Sequence, residues 1–152
     1  MSLKEQLMND LKTNVYCRIG VSKINGAGIG VIAIKDIPKG VNPFKTLAGE
    51  CIPTEIVMLP KEDVEQLESE VKKLVTNFCH EFNGNYPVPK YGPNSMTISQ
   101  YLNHSDKPNI GIEFYDHCKY NIFISLTEIK KGDELTFNYT CFGDLKQYKI
   151  DY

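Results

Sequence analysis

The sequence lacks an excess of charge of either sign, and it lacks long apolar runs. Its 152 residues include 17 Lys and Arg against 19 Asp and Glu, which gives a net charge of -2. Binding to nucleic acid through many phosphates requires a basic surface, so we expect no direct nucleic-acid partner. The longest apolar runs, residues 29–34 and 122–124, are far shorter than the ~20 residues that cross a bilayer. We therefore expect no membrane partner.

Signals for secretion and for a disulfide framework are also missing. Charged residues interrupt the stretch 1–11, so it lacks the apolar segment of a secretory signal. The cysteines are odd in number and none forms a Cys-x-x-Cys pair: Cys17, Cys51, Cys79, Cys118 and Cys141. This pattern favours free thiols in a reducing compartment and no zinc cluster. We expect an intracellular protein, in the cytoplasm or nucleus, without a bound metal.

The composition is that of one folded domain spanning residues 1–152. Hydrophobic residues make up 41% and charged residues 24% of the chain, which excludes wholesale disorder. A chain of this length buries roughly 68–70% of the surface that it exposes when unfolded. It can therefore form a hydrophobic core without disulfides or metals.

Strand patterns dominate the first and last thirds of the chain. Residues 15–23 and 30–34 are rich in β-branched and aromatic residues, and Asn25-Gly26 between them predicts a hairpin turn. A second pair of short strands is expected within residues 44–50, and further strands over 110–115, 120–126 and 134–137. Residues 1–14 form the exception, because Leu3, Leu7 and Leu11 predict an amphipathic helix that packs as a lid. The fold class is mainly β with a helical insert.

The insert is predicted from the middle of the chain. Apolar residues recur at helical spacing from Pro60 to Phe82, and Asn83-Gly84 ends the pattern. A polar loop interrupted by prolines is expected over residues 85–94, followed by one or two helical turns that lead into Asn103.

Three segments could carry chemistry, although each has an ordinary structural explanation. Gly26-Ala27-Gly28 could bring backbone amides close to a ligand or could be a plain hairpin turn. The strand that follows it excludes a dinucleotide-binding or P-loop motif, since both require a helix there. Asn103-His104-Ser105 could bind a ligand or could bond its own backbone. Polar and apolar residues alternate over residues 134–139, as in an ordinary strand, and this segment ends in Tyr139.

Taken together and in this order, the three segments resemble the SET domain of S-adenosylmethionine-dependent protein lysine methyltransferases. The resemblance covers about residues 15–143 and includes the Gly49-Glu50 pair, Pro108-Asn109 and the ending Lys-Gly-Asp-Glu-Leu-Thr-Phe-Asn-Tyr. It implies a SET-type β-clip of small twisted sheets, in which the C-terminal strand tucks under an earlier loop as a pseudoknot. Residues 54–97 then form the variable insert, and residues 141–152 form a C-terminal tail.

The resemblance also implies roles for individual residues. Tyr139 is the catalytic residue, whose hydroxyl holds the lysine nitrogen and the methyl group in place. The implied cofactor is S-adenosylmethionine. The amides of Gly26, Ala27 and Gly28 contact its methionine end, Asn103 binds the amino or carboxylate group of that end, and the His104 backbone contacts the adenine. Phe142, with Tyr148 and Tyr152, offers an aromatic face to the ligands or merely attaches the tail to the core. The implied partner is a protein or peptide with a target lysine, such as a histone tail, and a homodimer is left open.

Departures from the family pattern leave two questions. Leu47 and Asn138 replace the family's usual Tyr and Asp, so a pocket hydroxyl is expected from Tyr16, Tyr86 or Tyr91 instead. The positions that limit the number of methyl groups are approximated by Ile112 and Ile124, which lack hydroxyls and predict transfer beyond one methyl.

The acidic residues Glu50, Glu113 and Asp116 could attract a basic peptide. The alternative function is a non-catalytic peptide-binding module, which need not bind the cofactor.

Overall fold

A computed structural model describes residues 1–143 of the protein, with the side chains of residues 142 and 143 excepted. Within this part the chain forms short strands and three α-helices, with brief 3-10 turns between them. In chain order these are α1 (Leu3–Thr13), β1 (Cys17–Val21), β2 (Ile29–Ala33), β3 (Ile56–Pro60), α2 (Lys61–Val64), α3 (Ser69–Phe78), β4 (Asn85–Pro89), β5 (Asn103–His104), β6 (Ile110–Glu113), β7 (Ile122–Ser125) and β8 (Glu134–Phe137). The 3-10 turns span Pro93–Ser95, Ile98–Tyr101 and Tyr139–Gly143. The mainly β fold class with a helical insert is confirmed.

The main sheet is built around β8, the last strand in the described part of the chain. Its order is β1-β2-β8-β6-β7, and β5 also pairs with β8. The hairpin of β1 and β2 is antiparallel, as predicted, whereas β5 and β6 both run parallel to β8. The C-terminal strand is thus inserted between β2 and two earlier segments, as the expected pseudoknot requires. This insertion brings the end of β8 beside residues 103–105.

Buried side chains from both sides of this insertion form the main core. The largest fully buried side chains there are Val31, Ile37, Ile110, Ile129, Leu135 and Phe137. Burying an aliphatic or aromatic side chain of this size contributes about 1.5–3 kcal/mol. The core therefore fixes the position of β8 and of the residues that follow it.

The insert differs from the predicted single helix. The helix expected from Pro60 to Phe82 is wrong: α2 ends at Val64 and α3 spans only Ser69–Phe78. A new helix starts because the Glu68 side chain accepts hydrogen bonds from the Glu70 and Val71 amides at 3.1 and 3.4 Å. The apolar spacing alone did not reveal this break.

The loop expected over residues 85–94 is also partly wrong. Its first half forms β4, which pairs antiparallel with β3 in a separate two-stranded sheet. Pro87 and Pro89 are tolerated because each strand of a two-stranded sheet is an edge strand. Val64, Val75, Cys79, Tyr86 and Val88 give this sheet and the short helices a second, smaller core.

Two predictions for the N-terminal third are wrong. Helix α1 does not pack as a lid, because Leu3, Leu7 and Leu11 are all exposed. A capping box between Ser2 and Glu5 stabilises the start of this helix locally. The strand pair expected within residues 44–50 is a turn with a single bridge between Thr46 and Gly49. No helix in the described part is both long and apolar enough to cross a membrane.

The cysteines are not all free thiols, contrary to the prediction. Cys51 and Cys118 form a disulfide across a sequence separation of 67 residues, and such a distant pairing leaves no signal in cysteine spacing. Cys17 and Cys79 are free and buried, and Cys141 is free and exposed. Burial raises the pKa of the Cys17 thiol to about 12 and that of Cys79 to about 11, so both remain protonated near neutral pH.

Candidate active site

The glycine turn between β1 and β2 has one open side. Gly26 and Gly28 have φ angles of 79° and 77°, which strongly favour glycine. Apart from each glycine's own atoms and its two chain neighbours, no heavy atom of the described residues lies within 4 Å of the place where a Cβ would stand at either residue. The Ala27 amide, however, donates to the Ile24 carbonyl at 3.2 Å within the turn. The turn therefore leaves room for a ligand beside its two glycines.

A buried carboxylate holds this turn in place. Glu134, at the start of β8, accepts hydrogen bonds from the Ser22 hydroxyl at 2.8 and 3.0 Å and from the Lys23 amide at 2.8 Å. A Cβ at Gly30 would collide with the same carboxylate, so glycine there permits the close approach. Sequence reasoning missed this role of Glu134 because the residue begins an ordinary alternating strand.

Asn103 lies beside the glycine turn, as the sequence predicted. Its Nδ2 donates to the Ile29 carbonyl and to Glu134 Oε1, both at 2.9 Å, and lies 3.3 Å from the Ser22 hydroxyl. These acceptors fix the orientation of the amide, since only the nitrogen can donate to a carbonyl and a carboxylate. Asn103 Oδ1 accepts no hydrogen bond from the described residues. It is the atom of this amide that is available to a ligand.

His104 positions the backbone of Tyr139. Its Nδ1 accepts a hydrogen bond from the Tyr139 amide at 3.1 Å, and its Nε2 lies 3.1 Å from Asp106 Oδ1. An accepting Nδ1 in a neutral ring requires the proton on Nε2, which then donates to Asp106. The His104 backbone pairs with β8. The side chain thus has a structural role that the sequence did not predict.

The Tyr139 hydroxyl is held close to the same segment. It donates to the Leu102 carbonyl at 2.6 Å. Burial raises the pKa of Tyr139 above its usual value, and a hydrogen bond with the His104 backbone, which lowers the pKa, offsets this only in part. The hydroxyl consequently stays protonated near neutral pH and is a donor in a fixed position.

His80, from the end of the insert, completes the surroundings of Tyr139. The two ring centroids are 3.7 Å apart and the planes are tilted by 34°. Burial, and then the neighbouring His104, lower the pKa of His80 to about 4, so the imidazole is neutral near pH 7. No sequence signal indicated this contact, because nothing in the order of the motifs relates residue 80 to residue 139.

Tyr139 lines a cavity of about 120 Å³ between the insert and the main sheet. The walls are mostly apolar, and no Asp, Glu, Lys or Arg is among the described lining residues. They include Ile52, Ile56, Met58, Phe78, Phe82, Leu102, Ile112, Phe123 and Phe137. Asn121 also lines the cavity, and neither polar atom of its buried side chain has a hydrogen-bond partner among the described residues.

Only one of the two residues expected to limit the number of methyl groups lines the cavity. Ile112 lines it, but Ile124 does not, and Phe123 takes that place because it is the cross-strand partner of Ile112. None of the three tyrosines suggested as the source of a hydroxyl, Tyr16, Tyr86 and Tyr91, lines the cavity. Tyr120 does, and its hydroxyl accepts a hydrogen bond from the Ile56 amide at 2.9 Å.

A second cavity, of about 390 Å³, adjoins the first. Four residues line both cavities: Ile52, Thr97, Ser99 and Phe123. The exposed Leu47, which replaces the family's Tyr, lines neither of them. The side chain of Phe142, together with Tyr148 and Tyr152, lies outside the described residues.

Comparisons with known proteins bear on the family and the fold of the chain. A sequence model of the SET domain matches residues 28–140. The chain belongs to the SET-domain family. This SET domain has no match among curated proteins, so solved structures provide the remaining comparisons.

Similar solved structures include several of Polycomb Repressive Complex 2. A humanized mutant of the Chaetomium thermophilum complex bound to an inhibitor is 19% identical, with a TM-score of 0.54 over 90% of this chain and 16% of that one. Apo ctPRC2 with two mutations in Ezh2 is 19% identical, and the match has a TM-score of 0.54 and covers 85% of this chain and 15% of that one. Autoinhibited ctPRC2 bound to S-adenosylmethionine is 18% identical, with a TM-score of 0.51 over 91% and 16%. The chain thus spans only about a sixth of the length of these chains, and the likeness concerns the fold.

Proposed function

We propose that this SET domain transfers a methyl group from S-adenosylmethionine to the ε-amino group of a lysine in a protein. One observation carries the proposal: the Tyr139 hydroxyl, bonded to the Leu102 carbonyl, lies where the Asn103-His104 segment meets a mostly apolar cavity. The cavity offers space for an acceptor side chain, and the glycine turn offers space for a cofactor. Membership of the SET family and the fold shared with a complex that binds S-adenosylmethionine support the same activity.

The residues around the glycine turn fit the methionine end of the cofactor. Asn103 Oδ1 can accept from its ammonium group, whereas Nδ2 is already bonded to Ile29 and Glu134. The geometry therefore favours the amino group over the carboxylate as the partner of Asn103. When bound, the cofactor supplies a methyl group on a sulfonium sulfur. Residues of this chain have to align that group with the acceptor nitrogen, since alignment is the main requirement of an in-line displacement.

The cavity suits a lysine side chain in its neutral form. A lysine free in water has a pKa of ~10.4, and desolvation lowers this value. No carboxylate among the described lining residues would favour the ammonium form. The neutral amine, which has a free electron pair, is the form that attacks the methyl group. Tyr139, whose hydroxyl is bonded to the Leu102 carbonyl, and Leu102 both line the cavity, so these two groups can orient the amine.

A Tyr139→Phe variant tests this function. It removes one hydroxyl and keeps the ring that packs against His80, so folding should survive. Loss of one aligned hydrogen bond in the transition state typically lowers turnover on the order of 10²–10³-fold. The assay uses tritiated S-adenosylmethionine with histones and with whole lysate as acceptors. Tyr91→Phe is the matched control, because Tyr91 is 77% exposed and lies outside the cavity.

Two results would contradict the proposal. Unchanged turnover in Tyr139→Phe would remove Tyr139 from the reaction. Absence of S-adenosylmethionine binding in calorimetry, with the protein folded, would favour the non-catalytic peptide-binding module instead.

A further inference from the structure

A second cluster of chemically reactive side chains lies away from Tyr139. Cys51 follows the Gly49-Glu50 pair, and His117 and Cys118 belong to the connection between β6 and β7. One ligand atom from each of these three residues lies within 4.8 Å of the other two. The Cys118 amide donates to the Tyr115 carbonyl at 2.9 Å, and this turn presents His117 and Cys118 on the same side as Cys51.

Two sulfurs and one imidazole are a donor set that Zn²⁺ prefers. Zinc takes four ligands in a tetrahedron, and three protein ligands leave the fourth position for water. Cys118 is only 2% exposed, whereas His117 is exposed, so water can reach the fourth position from the His117 side. The His117 ring stacks on Tyr115, with the centroids 5.6 Å apart and the planes 20° apart. That contact limits the orientations of the imidazole.

Acidic residues adjoin the cluster along the chain. Glu50 directly precedes Cys51 and Asp116 directly precedes His117, whereas Lys119 follows Cys118. Lys45 is the cation paired with Glu50, at 3.7 Å and with both side chains partly exposed. An acidic field favours a divalent cation over a neutral occupant.

We propose that Cys51, Cys118 and His117 bind one Zn²⁺ ion when the two cysteines are reduced, and that the disulfide form excludes the ion. A dithiol reductant gives two electrons and two protons to the disulfide, which yields two thiols and the oxidised, cyclic form of the reductant. Zinc then replaces the two thiol protons, which pass to solvent. A small-molecule disulfide oxidises the two zinc-bound thiolates back to the protein disulfide, is itself reduced to two thiols with protons from solvent, and the ion is released.

Either linkage connects the same two segments of the chain. Cys51 precedes Ile52, which lines both cavities, and Cys118 precedes Tyr120 and Asn121, which line the first. The zinc ion would therefore maintain, under reducing conditions, a connection that the disulfide makes under oxidising ones.

Cobalt titration of the full chain, reduced with a dithiol that is then removed under anaerobic conditions, tests the site. We expect one equivalent of Co²⁺ to give a thiolate-to-metal charge-transfer band and a tetrahedral visible spectrum, both abolished by Zn²⁺. Cys51→Ser and Cys118→Ser should remove the charge-transfer band of the two-thiolate site. His117→Ala should weaken metal affinity at least about tenfold, since even residues that only support a metal ligand have effects of that size. Cys141→Ser, at the exposed free cysteine, is the matched control and should behave as the wild type.

Several outcomes would overturn the proposal. These are the absence of a charge-transfer band in the reduced wild type, full affinity in His117→Ala, and equal binding by the oxidised protein. Circular dichroism checks that each variant is folded. If Cys118→Ser fails to fold, Cys51→Ser and His117→Ala decide the question, because Cys51 is only partly buried and His117 is exposed.

Discussion

Replacing Glu134 by Gln should both destabilise the protein and weaken cofactor binding. The carboxylate accepts from Ser22, Lys23 and Asn103 at 2.8 to 3.0 Å, and only 9% of the residue is exposed. A glutamine keeps one accepting oxygen, and its NH₂ group then faces at least one of the same donors. Hydrogen bonds to a charged group contribute about 1.5–3 kcal/mol each, and a buried unsatisfied donor costs about 1–3 kcal/mol. We expect Glu134→Gln to lower the free energy of unfolding by about 2–4 kcal/mol.

Urea unfolding, followed by circular dichroism, measures the loss of stability, and calorimetry with S-adenosylmethionine measures the second effect. Glu128→Gln is the matched control, since Glu128 pairs with Lys130 at 2.6 Å on the surface and both side chains are more than half exposed. Exposed pairs of this kind contribute about 0–1 kcal/mol. If Glu134→Gln unfolded at the same urea concentration as the control and bound the cofactor with wild-type affinity, the proposed anchoring of the glycine turn would be wrong.

Two further predictions concern groups beside the cavity. Asn121→Leu removes a buried amide without a hydrogen-bond partner among the described residues. The free energy of unfolding, measured by urea titration, should therefore stay unchanged or rise by up to ~3 kcal/mol. A lower free energy of unfolding would show that the amide is satisfied. Burial lowers the pKa of His80 from 6.5 to about 4, so the unfolded chain takes up a proton that the folded protein resists. Stability should therefore hold above pH 6.5 and fall as the pH drops towards 4. His80→Gln should flatten this part of the profile of urea midpoints against pH, and an identical slope would contradict the assignment.

The parts of the fold that the sequence predicted are local in the chain. The β1–β2 hairpin was predicted because β-branched residues flank Asn25-Gly26, and β8 because residues 134–137 alternate. The prediction of a single long helix was wrong because it too rested on local spacing alone. Apolar spacing continues through residues 65–68, and only the Glu68 side-chain cap shows that a new helix starts there.

The parts that could not be predicted depend on contacts between distant residues. Three contacts join segments that are far apart in the chain: the Cys51–Cys118 disulfide, the hydrogen bond from Ser22 to Glu134 and the ring contact between His80 and Tyr139. Neither spacing nor composition encodes these long-range contacts. Only the resemblance to a family placed Asn103 beside the glycine turn before the structure did.

The number of methyl groups transferred is a final prediction, and it rests on the proposed function. Phe123 and its cross-strand partner Ile112 line the cavity with Tyr139, and neither of the first two has a hydroxyl. An apolar wall there leaves a methylated amine free to rotate, because neither of these two side chains can bond its remaining proton. We therefore expect products beyond monomethyl-lysine.

Phe123→Tyr is the variant that tests this reasoning. The ring packs edge-on against Phe44 and Phe137, with centroids 5.8 and 5.3 Å apart, so the added hydroxyl enters a largely apolar site and needs a partner. The acceptor amine, or a water bonded to it, is the partner that would restrict rotation and stop the reaction at one methyl. A substrate peptide is incubated for a long time with excess cofactor and either the wild type or Phe123→Tyr. Mass spectrometry then measures the number of methyl groups added by each protein. A wild-type product that stops at a single methyl, or equal product distributions for the two proteins, would refute the role of this wall.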